Sequence, residues 1–317
     1  MRALLVVNPH ATSTTPAGRD VLAAALASEL KLDVAATTHR GHAAQLASQA
    51  ALDGFDLVVV HGGDGTVNEV VNGLLAVRNR VPVPAVGVVP GGSANVFGAG
   101  VGVPRDPVEA TRHLLRAVQA GRRRTIGLGR MHAWQPEQAE PPIPRWFTFN
   151  AGLGLDAAAV RHVERSRARG RRATTARYVR AAALSYLRQD HRHPRLTIEL
   201  PGEDAVTGAF LAIVANSDPY TYAGRRAVRM NPGCTQDDGL GLFALRTLAP
   251  LPVLRHVVQI LRRRGVPRGK HLVRRQDLAT LRITSEQPIG LQVDGDYLGE
   301  HVRVDYESVP AALTVVV

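Results

Sequence analysis

The sequence predicts an α/β plus all-β protein, with an N-terminal parallel-sheet α/β domain followed by a C-terminal antiparallel β-sandwich domain. Three observations carry this expectation. The 317 residues exceed what a single hydrophobic core ordinarily serves. From Ala3 to about Gly121, short apolar strands alternate with alanine-rich helical stretches, the pattern of βαβ units. Beyond Gly121-Arg122-Arg123-Arg124, strand patterns separated by turn residues follow one another with few helices between them. The expected division is residues 1–125, residues 126–302, and a C-terminal segment 303–317 that returns to the N-terminal domain.

In the first part, strands are expected at Ala3–Val7, Leu32–Thr37, Leu57–His61 and Ala85–Pro90. Helices are expected at Pro16–Glu29, His42–Leu52, Val67–Leu75 and Pro107–Ala120. The unbroken Val58-Val59-Val60 has the character of a strand covered on both faces, which makes it central. In the second part, strands are expected near Ile126–Met131, Trp146–Ala151, Leu196–Leu200, Phe210–Ala215, Leu240–Leu245, Leu281–Ser285 and Leu291–Asp294. The proline-rich Trp134–Pro144 reads as a surface loop.

Hydrophobic residues at 45% and charged residues at 21% describe a globular and not a disordered chain. The net charge of +12 calls for an anionic partner, and aromatic residues at 4% disfavour single-stranded nucleic acid, which needs stacking platforms. One cysteine, Cys234, excludes an internal disulfide and fits a reducing compartment. The opening MRALLVVNPH is too short an apolar run for a signal peptide. The longest uncharged run, Val81 to Pro104, contains six Gly and four Pro, so membrane contact is expected to be peripheral.

Two glycine-rich loops carry the chemistry. His61-Gly62-Gly63-Asp64-Gly65-Thr66-Val67-Asn68-Glu69 leads from a strand into an apolar-periodic helix. Such a junction offers backbone N–H groups and the positive end of a helix dipole to an anion. Glycine lets a phosphate approach closely and suits a turn of positive φ. An aspartate inside an anion cradle repels phosphate unless a metal lies between them, which points to a Mg²⁺-nucleotide. Pro90-Gly91-Gly92-Ser93-Ala94-Asn95 repeats the design after the next strand, and two such loops on neighbouring parallel strands face one crevice. The alternative is a pair of turns that merely pack tightly. Neither loop matches the G-x-x-x-x-G-K-[ST] or G-x-G-x-x-G pattern.

These residues resemble the bacterial diacylglycerol-kinase-like lipid kinases, whose superfamily includes the catalytic domains of diacylglycerol, sphingosine and ceramide kinases. Gly62-Gly63-Asp64-Gly65-Thr66 with Asn68-Glu69 looks like the family's GGDGT-x-NE loop, and Pro90-Gly91-Gly92-Ser93-Ala94-Asn95 like its PGGT-x-N loop. Asn8-Pro9 is similar to the opening NP motif, and Thr37 before Gly41-His42-Ala43 to a third nucleotide contact. By resemblance the ATP site comprises Asn8, Pro9, Thr12, Thr37, Gly62, Gly63, Asp64, Gly65, Thr66, Asn68, Glu69, Gly91, Gly92, Ser93 and Asn95, with Asp64 positioning Mg²⁺ and the γ-phosphate. Asn150–Ala157 resembles the family's N-x-G-x-G-x-D-A segment.

Asp237-Asp238-Gly239-Leu240 is similar to a DDG motif that holds a structural Mg²⁺ in some members, which implies Thr235, Asp238 and Leu240 as ligands; the alternative is a turn capped by aspartates. Val293-Asp294-Gly295-Asp296 resembles a VDGE segment whose glutamate is the proposed general base, so Asp296 is the expected catalytic carboxylate beside Asp64. Asp-Gly is also a strong hairpin signal, and Asp296 could simply flank that turn. The chain departs from the family at Val96 and Gly127, where many members carry aspartates that organise Mg²⁺.

Between Arg161 and Arg192 lie Arg161, Arg165, Arg167, Arg169, Arg171, Arg172, Arg177, Arg180, Arg188 and Arg192, read as a basic helix that lies on an anionic leaflet or, alternatively, as a solvated face. Arg262-Arg263-Arg264 and Arg274-Arg275 add to the positive field. The expected protein is therefore an ATP- and Mg²⁺-dependent lipid kinase acting on diacylglycerol or a related alcohol. Its partner is a lipid substrate at an anionic membrane surface and not nucleic acid, a homodimer is allowed, and it sits in the cytoplasm against the inner face of the membrane. The alternatives are a soluble kinase of the NAD-kinase type and a non-catalytic nucleotide- and membrane-binding protein.

Overall fold

The computed structural model describes residues 1–168, 175–224, 226–262 and 265–317. Contacts divide the chain into two compact units, Met1–Ile126 with Ala311–Val317, and Gly127–Pro310.

The first unit runs β1 (Arg2–Val7), α1 (Pro16–Ala27), β2 (Lys31–Ala36), α2 (His42–Leu52), β3 (Leu57–Gly62), α3 (Asp64–Ala76), β4 (Ala85–Pro90), α4 (Val96–Gly100) and α5 (Pro107–Gln119). All neighbouring strands are parallel, in the order β2-β1-β3-β4. The three valines of β3 are fully buried in the middle of this sheet. Each such side chain withdrawn from water contributes about 1.5–3 kcal/mol, which is why the strand carries no polar residue before His61. Helix α1 starts on Thr15, whose hydroxyl accepts from Gly18 N, and on a proline at its first position, where the missing N–H costs nothing. Helices α2 and α3 pack closely enough that a Cβ on Gly73 would lie 2.1 Å from the Ala44 carbonyl oxygen. Ala43, Ala47, Ala50 and Ala51 of α2 are buried.

The second unit contains β5 (Arg124–Trp134), β6 (Arg145–Phe147), β7 (Asn150–Gly154), α6 (Leu155–Ala168), α7 (Thr175–Arg188), β8 (Leu196–Glu199), β9 (Val206–Ala209), β10 (Leu211–Ala215), β11 (Thr221–Ala223), β12 (Arg226–Val228), β13 (Leu240–Leu245), α8 (Pro250–Ile260), β14 (Leu272–Leu278), β15 (Thr280–Val293) and β16 (Asp296–Val315). The order β14-β13-β10-β7-β15-β16 is antiparallel throughout. Strand β8 joins β15 and carries β9 on its other side, and β6 pairs with β5. Phe147, Leu153, Ile198, Leu242, Leu291, Val304 and Tyr306 form the core. The last residues of β16 belong to the first unit, where Val315 pairs in parallel with Val86.

Three expectations are corrected here. Trp146–Ala151 is two strands and not one, because the amides of Thr148 and Phe149 leave the ladder to donate to the Asp294 carboxylate. Leu281–Ser285 and Leu291–Val293 are parts of one irregular strand, β15, with the register shifting between Thr284 and Ile289, and Asp294 lies in the turn after it. The basic segment Arg161–Arg192 is two helices, with Arg192 beyond the end of α7. Arg169, Arg171, Arg172, Arg263 and Arg264 lie outside the described residues, as does the side chain of Arg167.

Candidate functional site

The segments expected to hold nucleotide all follow the C-terminal ends of the four parallel strands of the first unit. Asn8 follows β1, Thr37 follows β2, Gly63 follows β3 and Gly91 follows β4. Backbone bonds tie them together. Asn8 N donates to the His61 carbonyl (3.0 Å), Gly91 N to the Gly62 carbonyl (2.8 Å), Ser13 N to the Gly91 carbonyl (2.8 Å) and Thr37 N to the Val7 carbonyl (2.8 Å). Asn8 Nδ2 reaches Thr66 Oγ1 at 3.0 Å, joining the opening loop to the first glycine loop.

The two glycine loops touch backbone to backbone. A Cβ on Gly92 would lie 2.6 Å from the Gly63 Cα, and one on Gly91 would lie 3.1 Å from the Gly62 Cα. A Cβ on Gly62 would meet Thr66 Oγ1 at 2.8 Å. None of these glycines has positive φ; Gly63 itself is extended, at φ −91° and ψ −179°. The expectation that the first turn needs positive φ is therefore corrected: glycine is required by close approach. The helix begins at Asp64 and not at Val67, so Asp64, Gly65 and Thr66 form its first turn. An acidic residue there is favoured by the helix dipole, and the absence of a side-chain cap on Gly63 leaves the amide end available to an anion.

The residues of the loops divide by what they touch. Asp64 Oδ1 accepts from Phe97 N (3.1 Å), which couples the first loop to the helix after the second. Asn95, in the left-handed region at φ 50°, accepts from Gly92 N (2.9 Å) and donates to the Gly92 carbonyl (2.8 Å). Its amide shapes the second loop. Glu69 accepts from Gly41 N (2.9 Å) and Ala43 N (3.2 Å), so its carboxylate caps α2 and holds the Gly41 turn. Asn68 is buried and accepts from Asn72 Nδ2. Thr12, Pro9 and Ser93 are exposed, and Gly63, Asp64, Gly65 and Gly92 are half-buried. Burial pushes the His61 imidazole below its ordinary range, which keeps the strand end uncharged beneath the loops. Thr14 was not singled out by the sequence: its buried hydroxyl has no hydrogen-bond partner and would lie 2.9 Å from a Cβ on Gly91. Only its place in the Thr12–Thr15 run, after Asn8-Pro9, marked it.

In the second unit, Asp294 and Gly295 form a two-residue hairpin turn with φ 48° and 83°, and Asp296 opens β16 opposite Val293. The turn expected as an alternative is present, and Asp296 flanks it half-buried. The buried carboxylate is Asp294, which accepts from Thr148 N (2.7 Å), Thr148 Oγ1 (2.8 Å), Phe149 N (3.0 Å) and Asn150 N (3.1 Å). Beside it Gln292 accepts from Gly295 N (3.0 Å) and donates to Asn150 Oδ1 (2.9 Å) and Asp156 Oδ2 (2.8 Å). Tyr220 donates to Asp156 Oδ1 (2.5 Å). Burial pushes the Asp156 carboxyl up to about 6, against the two donors that pull it down. Tyr220 and Gln292 gave no signal in the sequence, since only the sheet brings them to Asp156.

Two metal assignments were tested against this geometry. Asp64 is a half-buried carboxylate in the first turn of α3, and magnesium takes one or two carboxylates and completes its shell with phosphates and water. At the second place, Thr235 Oγ1 donates to Asp238 Oδ2 (2.6 Å) and the Thr235 carbonyl accepts from Asp238 N (3.2 Å), the aspartate-capped turn of the alternative reading. No group of three His, Cys, Asp or Glu that could hold a metal occurs among the described residues. At the Gly127 departure, a Cβ would lie 2.7 Å from the Gln236 carbonyl oxygen, so the fold leaves no room for a side chain.

A family model described as the diacylglycerol kinase catalytic domain matches residues 2–131, and one described as the YegS C-terminal NAD kinase beta sandwich-like domain matches residues 150–317. A diacylglycerol kinase of Bacillus subtilis is 41% identical over 115 residues, covering 34% of this chain and 35% of that relative. A probable lipid kinase YegS of Salmonella arizonae is 32% identical over 130 residues, covering 41% and 42%. The matched stretch thus spans well under two thirds of these curated relatives. A solved structure titled a putative diacylglycerol kinase from Bacillus anthracis superposes at TM-score 0.74, with 20% identity over 99% of this chain and 95% of that one. An NAD kinase from Archaeoglobus fulgidus superposes at 0.52, with 15% identity over 100% and 94%. At these identities the two structures show the fold alone. No helix among the described residues is long and apolar enough to cross a membrane. With both of its halves matched, the second over more than half of its length, the chain belongs to the diacylglycerol-kinase-like lipid kinase family.

Proposed function

We propose that the chain transfers the γ-phosphoryl group of ATP to the hydroxyl of diacylglycerol or a related lipid alcohol at an anionic membrane surface in the cytoplasm. The observation that carries this reading is the contact of the two glycine loops beyond β3 and β4, where a Cβ on Gly92 would lie only 2.6 Å from the Gly63 Cα. Backbone N–H groups at such a place suit phosphate oxygens. Gly62, Gly63, Gly65, Gly91, Gly92 and Ser93 line the cradle, Asn95 and Glu69 hold its loops in shape, and Asn8 and Thr66 brace it from the side. Thr12 and Thr37 are assigned to the nucleotide end.

Asp64 positions the γ-phosphate end of the nucleotide. Magnesium bound there would neutralise charge on the transferred group. Asp296 is assigned the general base: it takes the proton of the acceptor hydroxyl as the new O–P bond forms, the bond to the β-phosphate oxygen breaks, and ADP leaves. The hairpin that precedes it is pinned by Asp294 and Gln292, which fixes the backbone at the residue that must act.

A panel of lipid alcohols in mixed micelles with labelled ATP tests the reading, with NAD as a separate acceptor. The expected result is labelled lipid, reduced about 10²–10⁴-fold by Asp296→Asn, the usual worth of a general base, and abolished by Asp64→Asn. Turnover of NAD without any lipid product would replace it with the NAD-kinase reading. Tight ATP binding with no transfer to any acceptor would leave a binding protein.

A further inference from the structure

Helix α8 is built the wrong way round for a helix that only packs. An amphipathic helix on a globular protein turns its apolar stripe to the core. Here the one buried residue of α8 is His256, while Leu251 is 80% exposed, Leu254 60% and Val258 46%. Residues 251, 254, 255 and 258 follow the spacing of a single helix face, and Arg262 comes just after the helix ends. Leu251, Leu254, Arg255, Val258, Gln259 and Arg262 line a shallow groove of about 440 Å³ on that face. Arg255 therefore sits within the apolar stripe itself and Arg262 at the C-terminal end of the groove, where their long stems can lie along apolar surface while the guanidinium groups reach outward.

The segment that follows the helix is held against it. Gln259 donates to the Arg268 carbonyl (3.1 Å) and accepts from Arg268 N (3.1 Å), strapping the following segment to the helix. Gly269 closes the other side, where a Cβ would lie 2.8 Å from the His256 ring. Exposed Lys270 lines a pocket with Leu251 and Arg255, and Arg268 is exposed just before Gly269. From Gly239 to Gln276 the sequence holds nine Lys and Arg and no Asp or Glu.

We infer that α8 is a docking element that lies flat in the interface of an anionic phospholipid membrane, with Leu251, Leu254 and Val258 inserted and Arg255, Arg262, Arg268 and Lys270 at the headgroup phosphates. An exposed apolar stripe edged by unrelieved positive charge is the pattern of an interfacial helix. A second copy of the chain is a poor occupant, because a self-complementary contact would set these cations against their equivalents. The inference does not depend on which hydroxyl is phosphorylated, and vesicle binding without nucleotide reads it alone.

The full-length chain is sedimented with vesicles of phosphatidylcholine and of phosphatidylcholine mixed with phosphatidylglycerol. Binding to the mixed vesicles alone is expected. Leu251→Gln/Leu254→Gln weakens it by about tenfold or more through lost burial, and Arg255→Gln/Arg262→Gln weakens it about fivefold per charge at low salt. All four side chains are exposed, so both variants should unfold at the wild-type temperature. Arg177→Gln/Arg180→Gln on α7 removes equal charge and leaves binding intact. Wild-type binding by the leucine variant, loss confined to the α7 variant, or lipid-free self-association abolished by the leucine variant would each overturn the assignment.

Discussion

Replacing Gly92 with alanine places a methyl carbon 2.6 Å from the Cα of Gly63 and 3.0 Å from Asn95 Oδ1. The first neighbour is backbone and cannot rotate away. Restoring an ordinary carbon–carbon separation of about 3.5 Å requires the two loops to part by roughly 0.9 Å, and overpacking of this kind costs about 1–3 kcal/mol. The same displacement moves the amides of one loop relative to those of the other, and about 1 Å of misplacement in a positioning element costs about 10²-fold in rate. Gly98→Ala is the control, because its Cβ would meet Val88 Cγ1 at an ordinary 3.6 Å inside helix α4. The assays are ATP binding by calorimetry, lipid phosphorylation and thermal unfolding. Gly92→Ala should lose turnover and ATP affinity together, while Gly98→Ala should match the wild type in all three. If Gly92→Ala binds and turns over nucleotide normally, the shared cradle is not where the phosphates sit.

Other outcomes follow from single contacts. Glu69→Ala leaves two amides at the start of α2 without their acceptor; the expected loss is about 1–2 kcal/mol, read as a drop of a few degrees in unfolding temperature, and an unchanged temperature refutes the capping role. Asp294→Ala strips four donors of a buried acceptor, so urea unfolding should show a loss on the order of 3–5 kcal/mol. For Asp156, burial raises the carboxyl from 3.8 to about 6, so between those values the folded chain holds a proton that the unfolded chain has released. Its stabilising contribution is present at acid pH and is lost as pH rises through that window, on the order of 3 kcal/mol in all. The stability of the wild type relative to Asp156→Asn, followed by urea titration from pH 4 to 7, should therefore fall, and a flat difference contradicts the assignment.

The parts of the fold that were legible before any coordinates are those whose pattern is local. Ala85–Pro90 and His42–Leu52 occur with the expected ends, because a run of buried valines bounded by glycine and a helix of small residues each declare themselves within a dozen positions. Strand β14, with the sequence LVRRQDL, was missed because it lies at the sheet edge, where half its residues stay in water and no alternation is enforced. Helix α8 was missed because Pro250-Leu251-Pro252 reads as a breaker, although proline is harmless in a first helical turn. Strand β16 has the same difficulty along its 20 residues, which mix burial classes without a clean period of two.

By itself the sequence showed the motifs on which the proposed chemistry rests: two glycine loops after apolar strands, an aspartate in the first, and a far carboxylate after an Asp-Gly turn. These are properties of adjacent residues, and backbone chemistry at a strand-to-helix junction depends on little else. Only the tertiary structure decided that the glycines serve contact between loops and not a positive φ, that Asn95 and Glu69 hold backbone, that Asp294 is the buried carboxylate of its turn, and that α8 faces outward. Each of those depends on which distant residue the sheet sets beside it, and that is a distance in space which no spacing along the chain records.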